Sequence, residues 1–268
     1  MNIQQIRSAT NKITYAGKTF LLDPWLVKKD GMGSLNAVNA IADTGYRFAD
    51  PVKQAVSYPF YDLPESVESI LSGVDYYIVT HLHLDHVDMA PDGTVGAPLD
   101  KAVPVIVQSK EEAEVFKHSG FQEILVLSET EPLVLGEASL IKTPARHGFI
   151  KKSMEAMGVI FQSQQEKTLY VSGDTVWFEG VRETLEKYKP DVITVNGAAA
   201  YLKDCGRLIM NDEDVEAVAK TMPEAKIFIT HMDNVPHAGL TRVDMRANLL
   251  RRGITDFYMP DDGETVSF

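Results

Sequence analysis

The chain has 268 residues, of which 44% are hydrophobic and 24% are charged, a balance that allows a sizeable globular core. Its formal net charge of −12 argues against a nucleic-acid backbone as a partner, because nucleic-acid binders usually present a basic surface. The single cysteine, Cys205, cannot form an internal disulfide, so the sequence implies no oxidising compartment.

The N-terminus and the hydropathy pattern predict where the protein resides. The first residues are polar and lack the apolar core of a secretory signal. No run reaches the roughly 20 apolar residues that a membrane span needs. We therefore expect a soluble cytoplasmic protein without a membrane partner, and a homo-oligomer is compatible with the sequence.

The first part of the chain predicts β structure. The segment "QQIRSATNKITYAGKTFLLDP" contains short apolar runs separated by turns, and Gly17 marks a hairpin. Residues 30–64 contain glycines, prolines and aromatics without a clean period. They predict a long irregular segment with a short helix near residues 35–42, and such segments often act as lids or binding loops.

The middle of the chain alternates between helices and strands. A helix in "ESVESILSG" ends at Gly73, and the buried strand "DYYIVT" follows. A second loop covers residues 89–104, and the strand "VPVIVQ" comes next. The helix in "SKEEAEVFKHSG" has Ser109 as its N-cap and Glu112 at the position of a capping box, and "EILVL" is the next strand.

The second half predicts two pairs of strands and then alternating helices and strands. The helices cover about residues 178–188, 212–221 and 242–252, separated by "DVITVN" and "KIFIT", with a short strand "DFYM" before a polar end. This order predicts an α/β (α+β) fold in which two mixed sheets pack on one another with helices outside. Since no linker rich in Gly, Ser or Pro divides the chain, we expect one domain over residues 1–268.

The stretch "VTHLHLDH" carries the strongest chemical signal. It holds three of the seven histidines and an aspartate at the end of an apolar strand. His81 and His83 are two residues apart, so an extended backbone directs both to one side, and a turn would aim Asp85 and His86 at the same point. Imidazole and carboxylate groups suit zinc and other first-row metals, which favours a metal site over a solvated or core histidine cluster.

Three more candidate ligands follow apolar strands in the same way. They are His147 in "TPARHG", Asp174 in "YVSGDT" and His231 in "FITHMD". His237 in "DNVPHAG" competes with His231, and it could instead contact substrate or support a ligand. His231 is favoured because it directly ends its strand, as His81 does.

Several residues have weaker claims to a supporting role. Asp23, Asp88 and Asp233 could orient a ligand histidine, which usually donates its second N–H to an oxygen, although Asp88 could equally be a loop or cap residue. Arg146 adjoins a predicted ligand and suits an anionic group, but its position on a strand favours a structural role. Asn196 ends a strand, where it could bind substrate or form a turn.

The order H-x-H-x-D-H, then His, Asp and His, resembles the metallo-β-lactamase superfamily over most of the chain. The segments "ATNKITYAGKTFLLDPWL" and "THLHLDHVD" most resemble the branch typified by ascorbate-6-phosphate lactonase. The resemblance implies a four-layer αββα sandwich with a binuclear metal site at one edge, between the sheets.

The resemblance also implies a role for each candidate ligand. The first metal would bind His81, His83 and His147, and the second would bind Asp85, His86 and His231. Asp174 would bridge both. A metal-bridged hydroxide would attack the substrate, with Asp85 and His231 as the catalytic side chains. Because an aspartate stands where a zinc β-lactamase is expected to have a cysteine, β-lactamase activity is disfavoured, and zinc, manganese and iron are all candidate metals.

The function that these features predict is metal-dependent hydrolysis of a small molecule. The resemblance suggests a lactone or a phosphorylated sugar-like compound. The alternatives are a di-iron redox protein, a nucleic-acid phosphodiesterase and a binding module that has lost catalysis. The lack of an appended domain disfavours the first two, the acidic charge also disfavours the second, and the complete ligand set disfavours the third.

Overall fold

The computed structural model describes residues 1–42, 44–151 and 153–268. Two seven-stranded sheets form the centre of the fold. In spatial order, the strands of the first sheet are β18 (Thr265–Ser267), β1 (Asn2–Arg7), β2 (Thr10–Tyr15), β3 (Lys18–Leu22), β6 (Tyr76–Ile78), β7 (Val105–Val107) and β8 (Ile124–Val126). The strands β3, β6, β7 and β8 run parallel, and the others are antiparallel to their neighbours.

The second sheet is also mixed. Its strands, in spatial order, are β17 (Phe257–Tyr258), β16 (Lys226–Thr230), β13 (Val192–Asn196), β12 (Leu169–Val171), β11 (Met157–Gln162), β10 (Ala138–Pro144) and β9 (Leu133–Leu135). Two small antiparallel pairs lie outside the main sheets: β4 (Gly33–Ser34) with β5 (Ser57–Tyr58), and β14 (Tyr201–Leu202) with β15 (Gly206–Arg207).

The helices lie at the predicted positions, except for a short one at Pro51–Gln54, which lies within the segment predicted to be irregular. They are α1 (Leu35–Ala42), α2 (Pro51–Gln54), α3 (Val67–Leu71), α4 (Lys110–His118), α5 (Glu179–Tyr188), α6 (Asp212–Thr221) and α7 (Arg242–Arg251). Side chains cap the N-termini of two of these helices: Asn211 accepts from the backbone N–H of Asp214, and Thr241 forms a capping box with Asp244.

The main core lies between the two sheets. Side chains from both sheets fill it, and Phe161 meets Tyr15 and Phe20 edge-on at ring distances of 5.5 and 5.3 Å. Helices α5, α6 and α7 pack on the outer face of the second sheet, and α3 and α4 pack on that of the first. The layers therefore run α/β/β/α, which confirms the predicted fold.

The last strand of the chain was not among the predicted elements. Residues 265–267 form β18, which pairs antiparallel with β1 and sets Val266 opposite Ile3. An edge strand of three residues needs only one half-buried apolar side chain, so its sequence carries almost no alternation to detect. In the part of the chain that the structure describes, no helix is long and apolar enough to cross a bilayer.

Glu112 occupies the predicted capping position, but its side chain turns inward. Its backbone N–H donates to Ser109 Oγ at 3.2 Å, which confirms the N-cap. Its Oε1 accepts from Gln108 Nε2 at 2.7 Å, and its Oε2 has no partner among the described residues. Burial is the main cause that raises the pKa of Glu112 from 4.5 to about 7.

We expect the stability of Glu112→Gln to depend on pH differently from that of the wild type. Because the carboxyl pKa is higher in the folded state, the folded wild type binds more protons between pH 4.5 and 7 and loses stability as the pH rises through that window. Glutamine is neutral throughout, so the variant should gain up to about 3 kcal/mol on the wild type between pH 4.5 and 8. Urea unfolding across this range measures the effect.

The matched control for this experiment is Glu114→Gln, because Glu114 lies on the same helix with a side chain that is 74% exposed. Its stability difference from the wild type should stay constant with pH. A constant difference for Glu112→Gln as well would show that the buried carboxyl titrates normally.

Candidate metal centre

The predicted metal ligands converge at one edge of the fold, between the sheets. The segment from His81 to His86 follows β6 of the first sheet. The strands β10, β12 and β16 of the second sheet run in one direction and end at the same edge, where they are followed by His147, Asp174 and His231. Ligand sites in sheets with parallel strands commonly occupy this position, beyond the carboxyl ends.

Four of these residues form a first cluster. Ligand atoms of His81, His83, His147 and Asp174 lie within 4.8 Å of one another, and all four side chains are buried. His83 Nδ1 lies 2.9 Å from His81 Nε2 and 3.0 Å from His147 Nε2. Three nitrogens and a carboxylate at this spacing suit a first-row divalent metal.

Three residues form a second cluster next to the first. Ligand atoms of Asp85, His86 and His231 also lie within 4.8 Å of one another. His231 Nε2 lies 3.1 Å from His86 Nε2 and 3.6 Å from Asp85 Oδ2. The carboxylate of Asp85 therefore completes a second, separate donor set.

Asp174 lies between the two clusters. Its Oδ2 is 3.8 Å from His81 Nε2 in the first cluster and 3.3 Å from His86 Nε2 in the second. Its Oδ1 accepts from Asn196 Nδ2 at 2.6 Å, which fixes the orientation of the carboxylate. One carboxylate within reach of both clusters is the arrangement that a bridging ligand requires.

The five histidines of the two clusters share one feature: each places its outward-facing ring nitrogen against an oxygen. The pairs are His81 Nδ1 with Thr80 Oγ1 (3.0 Å), His83 Nε2 with Tyr46 Oη (3.0 Å), His86 Nδ1 with Asp23 Oδ2 (2.8 Å), His147 Nδ1 with the Leu208 carbonyl oxygen (3.2 Å) and His231 Nδ1 with Ser8 Oγ (3.3 Å). Metal-binding histidines are usually oriented in this way, and their inner nitrogens then face the metal. The residues present therefore fit two divalent cations.

The protonation states in the first cluster also suit metal binding. Burial, followed by the neighbouring imidazoles, holds the pKa values of His81 and His83 well below their ordinary value. Burial lowers the pKa of His147 in the same way. Neutral imidazole is the form that binds a metal, so these three ligands are ready at neutral pH.

The charges around His86 and Asp174 shift the pKa values of these two residues in opposite directions. Burial alone would lower the pKa of His86, but Asp174 and Asp23 raise it well above its ordinary value. Burial alone would raise the pKa of Asp174, but His86 and His231 hold it well below its ordinary value. A divalent cation next to these carboxylates would favour the neutral, metal-binding form of His86.

Unusual backbone conformations hold three of the site residues in place. Asp23 and His231 have φ angles of 44° and 62°, in the left-handed region that non-glycine residues rarely adopt. The backbone N–H of His231 donates to the Ser8 carbonyl at 2.9 Å. Gly173, before Asp174, has φ 58°, and a Cβ there would collide with the Met157 carbonyl oxygen.

The structure separates the two competing histidines. His231 belongs to the second cluster, whereas His237 belongs to neither. His237 Nε2 lies 3.7 Å from Asp85 Oδ2, and its ring stacks on Phe48 at a centroid distance of 5.1 Å. His237 therefore lines the space in front of the clusters, as the substrate-contact alternative requires.

Three of the weaker candidates make structural contacts, which for Arg146 is the favoured prediction and for Asp88 is one of the two alternatives. Asp88 accepts from a backbone N–H after β3 at 3.3 Å, and Asp233 pairs with Arg242 at 3.1 Å. Arg146 Nη2 donates to the Phe149 carbonyl at 2.9 Å. Among their described contacts none reaches a cluster histidine.

Asp23 is the supporting residue with the most contacts to the site. Its Oδ1 accepts from the backbone N–H of Thr80 at 2.7 Å, and its Oδ2 accepts from Thr80 Oγ1 at 2.9 Å and from His86 Nδ1 at 2.8 Å. One carboxylate thus positions the start of the histidine motif and a histidine near its end.

Sequence reasoning did not identify three residues that contact the ligands: Ser8, Tyr46 and Thr80. Thr80 adjoins the motif, and a Thr-His pair recurs at the end of β16, so the sequence did contain a signal for Thr80. Ser8 and Tyr46 are 223 and 37 residues from the histidines that they contact. No local pattern connects residues so far apart in the chain.

A narrow cavity of about 40 Å³ opens in front of the clusters. His83, Asp85 and His237 form its polar side. Aromatic and aliphatic side chains form the rest: Leu35, Tyr46, Phe48, Tyr58, Leu84, Leu202 and Leu208. Among the described residues that line it there is no lysine or arginine.

The profile of a beta-lactamase superfamily domain matches residues 38–232, the part of the chain that contains both clusters. The chain belongs to the beta-lactamase superfamily. Within this superfamily it is similar to UPF0173 protein YddR of Bacillus subtilis (strain 168), which is 36% identical over 273 residues, covering 100% of both proteins.

The chain is also similar over its whole length to solved structures, of which two share more than 30% identity with it. A possible metal-dependent hydrolase from Veillonella parvula DSM 2008 is 32% identical with a TM-score of 0.88, and 100% of this chain aligns with 99% of that one. An isothiocyanate hydrolase from Delia radicum gut bacteria is 31% identical with a TM-score of 0.86, with the same coverage. These relatives and the two clusters establish the chain as a metal-dependent hydrolase of the beta-lactamase superfamily.

Proposed function

We propose that the chain is a two-metal hydrolase that attacks a carbon atom of a small, uncharged electrophile, and that its substrate is an isothiocyanate. The observation that carries this proposal is the narrow, mostly apolar cavity in front of the clusters, without a lysine or arginine among its described lining residues. The similarity to an isothiocyanate hydrolase over the full length supports the choice of substrate.

The same cavity argues against a phosphorylated sugar. Proteins usually bind phosphate through arginine, lysine or several backbone N–H groups. Arg146, the predicted anion-binding residue, donates to a backbone carbonyl and is not among the residues that line the cavity. A lactone is the second candidate, because it is also uncharged and has an electrophilic carbon.

The reaction would convert R–N=C=S and water into R–NH₂ and COS. The water oxygen forms a bond to the central carbon, the C–N bond breaks, and both water protons end on the amine nitrogen. Two bound divalent cations would supply Lewis acidity and lower the pKa of water. Asp85 and His237, on the polar side of the cavity, are the side chains that would orient the water and the substrate nitrogen.

Purified protein loaded with zinc, manganese or iron(II) tests this proposal. We expect amine release from alkyl isothiocyanates with a kcat/KM at least a hundredfold above that for lactones or sugar phosphates. The matched control is the same protein stripped with a chelator, which should be inactive until metal is restored.

Each alternative predicts a different outcome of the panel. Activity on lactones alone would select the second candidate, and activity on sugar phosphates alone would contradict the argument from the cavity. Metal analysis with an absorbance scan would reveal a di-iron redox protein, and a nuclease assay would reveal a phosphodiesterase. The single domain over residues 1–268, the cytoplasmic location and the oligomeric state stay predictions.

A further inference from the structure

A second and larger cleft of about 510 Å³ adjoins the narrow cavity on its outer side. The two spaces share three lining residues: Tyr46, His83 and Leu84. The narrow cavity has room for only a few atoms, whereas the outer cleft falls in the range of small-molecule pockets, about 300 to 1,000 Å³. The bulk of a substrate that reacts at the clusters would therefore lie in the outer cleft.

The outer cleft is apolar. Its lining includes Met32, Val38, Ile41, Leu82, Met89 and Pro91. None of its described lining residues is an aspartate, glutamate, lysine or arginine. Ile41 is 71% exposed, so an apolar group in the cleft would remove its surface from water, and burial of apolar area is favourable at about 25 cal/mol per Å².

Tyr46 stands between the two spaces. Its Oη lies 3.0 Å from His83 Nε2, and its ring meets the imidazole edge-on at a centroid distance of 5.4 Å. The hydrogen bond to a cluster histidine holds the ring in place at the boundary between the two spaces.

We infer that the outer cleft binds an apolar alkyl or aryl substituent of the substrate, while only the reacting group passes Tyr46 into the narrow cavity. This inference deepens the proposed function, since it names the kind of substituent that the substrate carries. The binding of the substituent does not depend on which electrophilic group reacts.

The cleft can be tested with a probe that the enzyme cannot hydrolyse. We would titrate metal-loaded protein with 4-fluorophenethyl alcohol and follow the fluorine NMR signal. Ala90 lines the cleft and is half-buried, so Ala90→Trp should fill part of it and weaken binding at least tenfold. Val52→Trp, on α2 and 74% exposed, is the matched control and should bind as the wild type does.

Ile41→Lys is a second variant that is expected to fold, because the side chain is largely exposed. It places a charge at the rim of the cleft and should also weaken binding at least tenfold. Absence of saturable binding to the wild type, or equal binding by Ala90→Trp, Ile41→Lys and Val52→Trp, would overturn the inference.

A series of methyl, butyl and phenethyl isothiocyanates extends the test to catalysis. For Ala90→Trp, kcat/KM should fall at least tenfold for the phenethyl compound and stay within twofold for the methyl compound. If no isothiocyanate is hydrolysed but the probe still distinguishes the variants, the proposed function fails and the inference about the cleft stands.

Discussion

Asp174→Asn is expected to lower kcat/KM at least a thousandfold and to reduce the metal content from two ions per chain to one or fewer. Asn196 Nδ2 donates to Asp174 Oδ1, so an asparagine would keep its own oxygen at that position. Its amide NH₂ group would then take the place of Oδ2, the atom that faces both clusters. An amide nitrogen is a donor without a free lone pair, so it cannot bridge two cations.

Metal content by mass spectrometry and hydrolysis of the best substrate measure this effect. The matched control is Asp256→Asn, because Asp256 lies on the surface in an exposed ion pair with Lys226. That variant should keep two metals and full activity. Two bound metals together with more than a tenth of wild-type activity in Asp174→Asn would contradict the bridging role.

Asp23→Asn should weaken the affinity for one of the two metals about tenfold to a hundredfold, the usual effect of removing a group that orients a ligand histidine. The carboxylate accepts three hydrogen bonds, two from Thr80 and one from His86 Nδ1. Asparagine can accept on only one side. The other side would present an N–H group to the ring N–H of His86 and force the imidazole to turn.

Competition with a chromophoric chelator gives the two affinities separately. Asp88→Asn is an informative control, because Asp88 was also a candidate for orienting a histidine but contacts the backbone after β3. It should leave both affinities within twofold of the wild type. Equal losses in the two variants would mean that the negative charge near the site matters more than the hydrogen bonds of Asp23.

The local sequence was sufficient to locate most of the fold and the candidate ligands. Strands and helices follow apolar periodicity, which a few neighbouring residues reveal. A ligand at the end of an apolar strand is equally local, so His81, His147, Asp174 and His231 could each be selected from its own surroundings. The edge strand β18 was missed because three residues at an edge carry almost no periodicity.

The sequence by itself determined the superfamily, the layered fold and the types of side chain that face the metals, because each motif and each element behind them is recognisable from a few neighbouring residues, and the order of the motifs is read along the chain. Only the tertiary structure decided which oxygen orients each histidine, that Asp23 rather than Asp88 supports the motif, and that His237 lines the cavity. The same is true of the apolar cleft beyond Tyr46. These properties depend on distances between segments that lie up to 223 residues apart, and packing alone sets such distances.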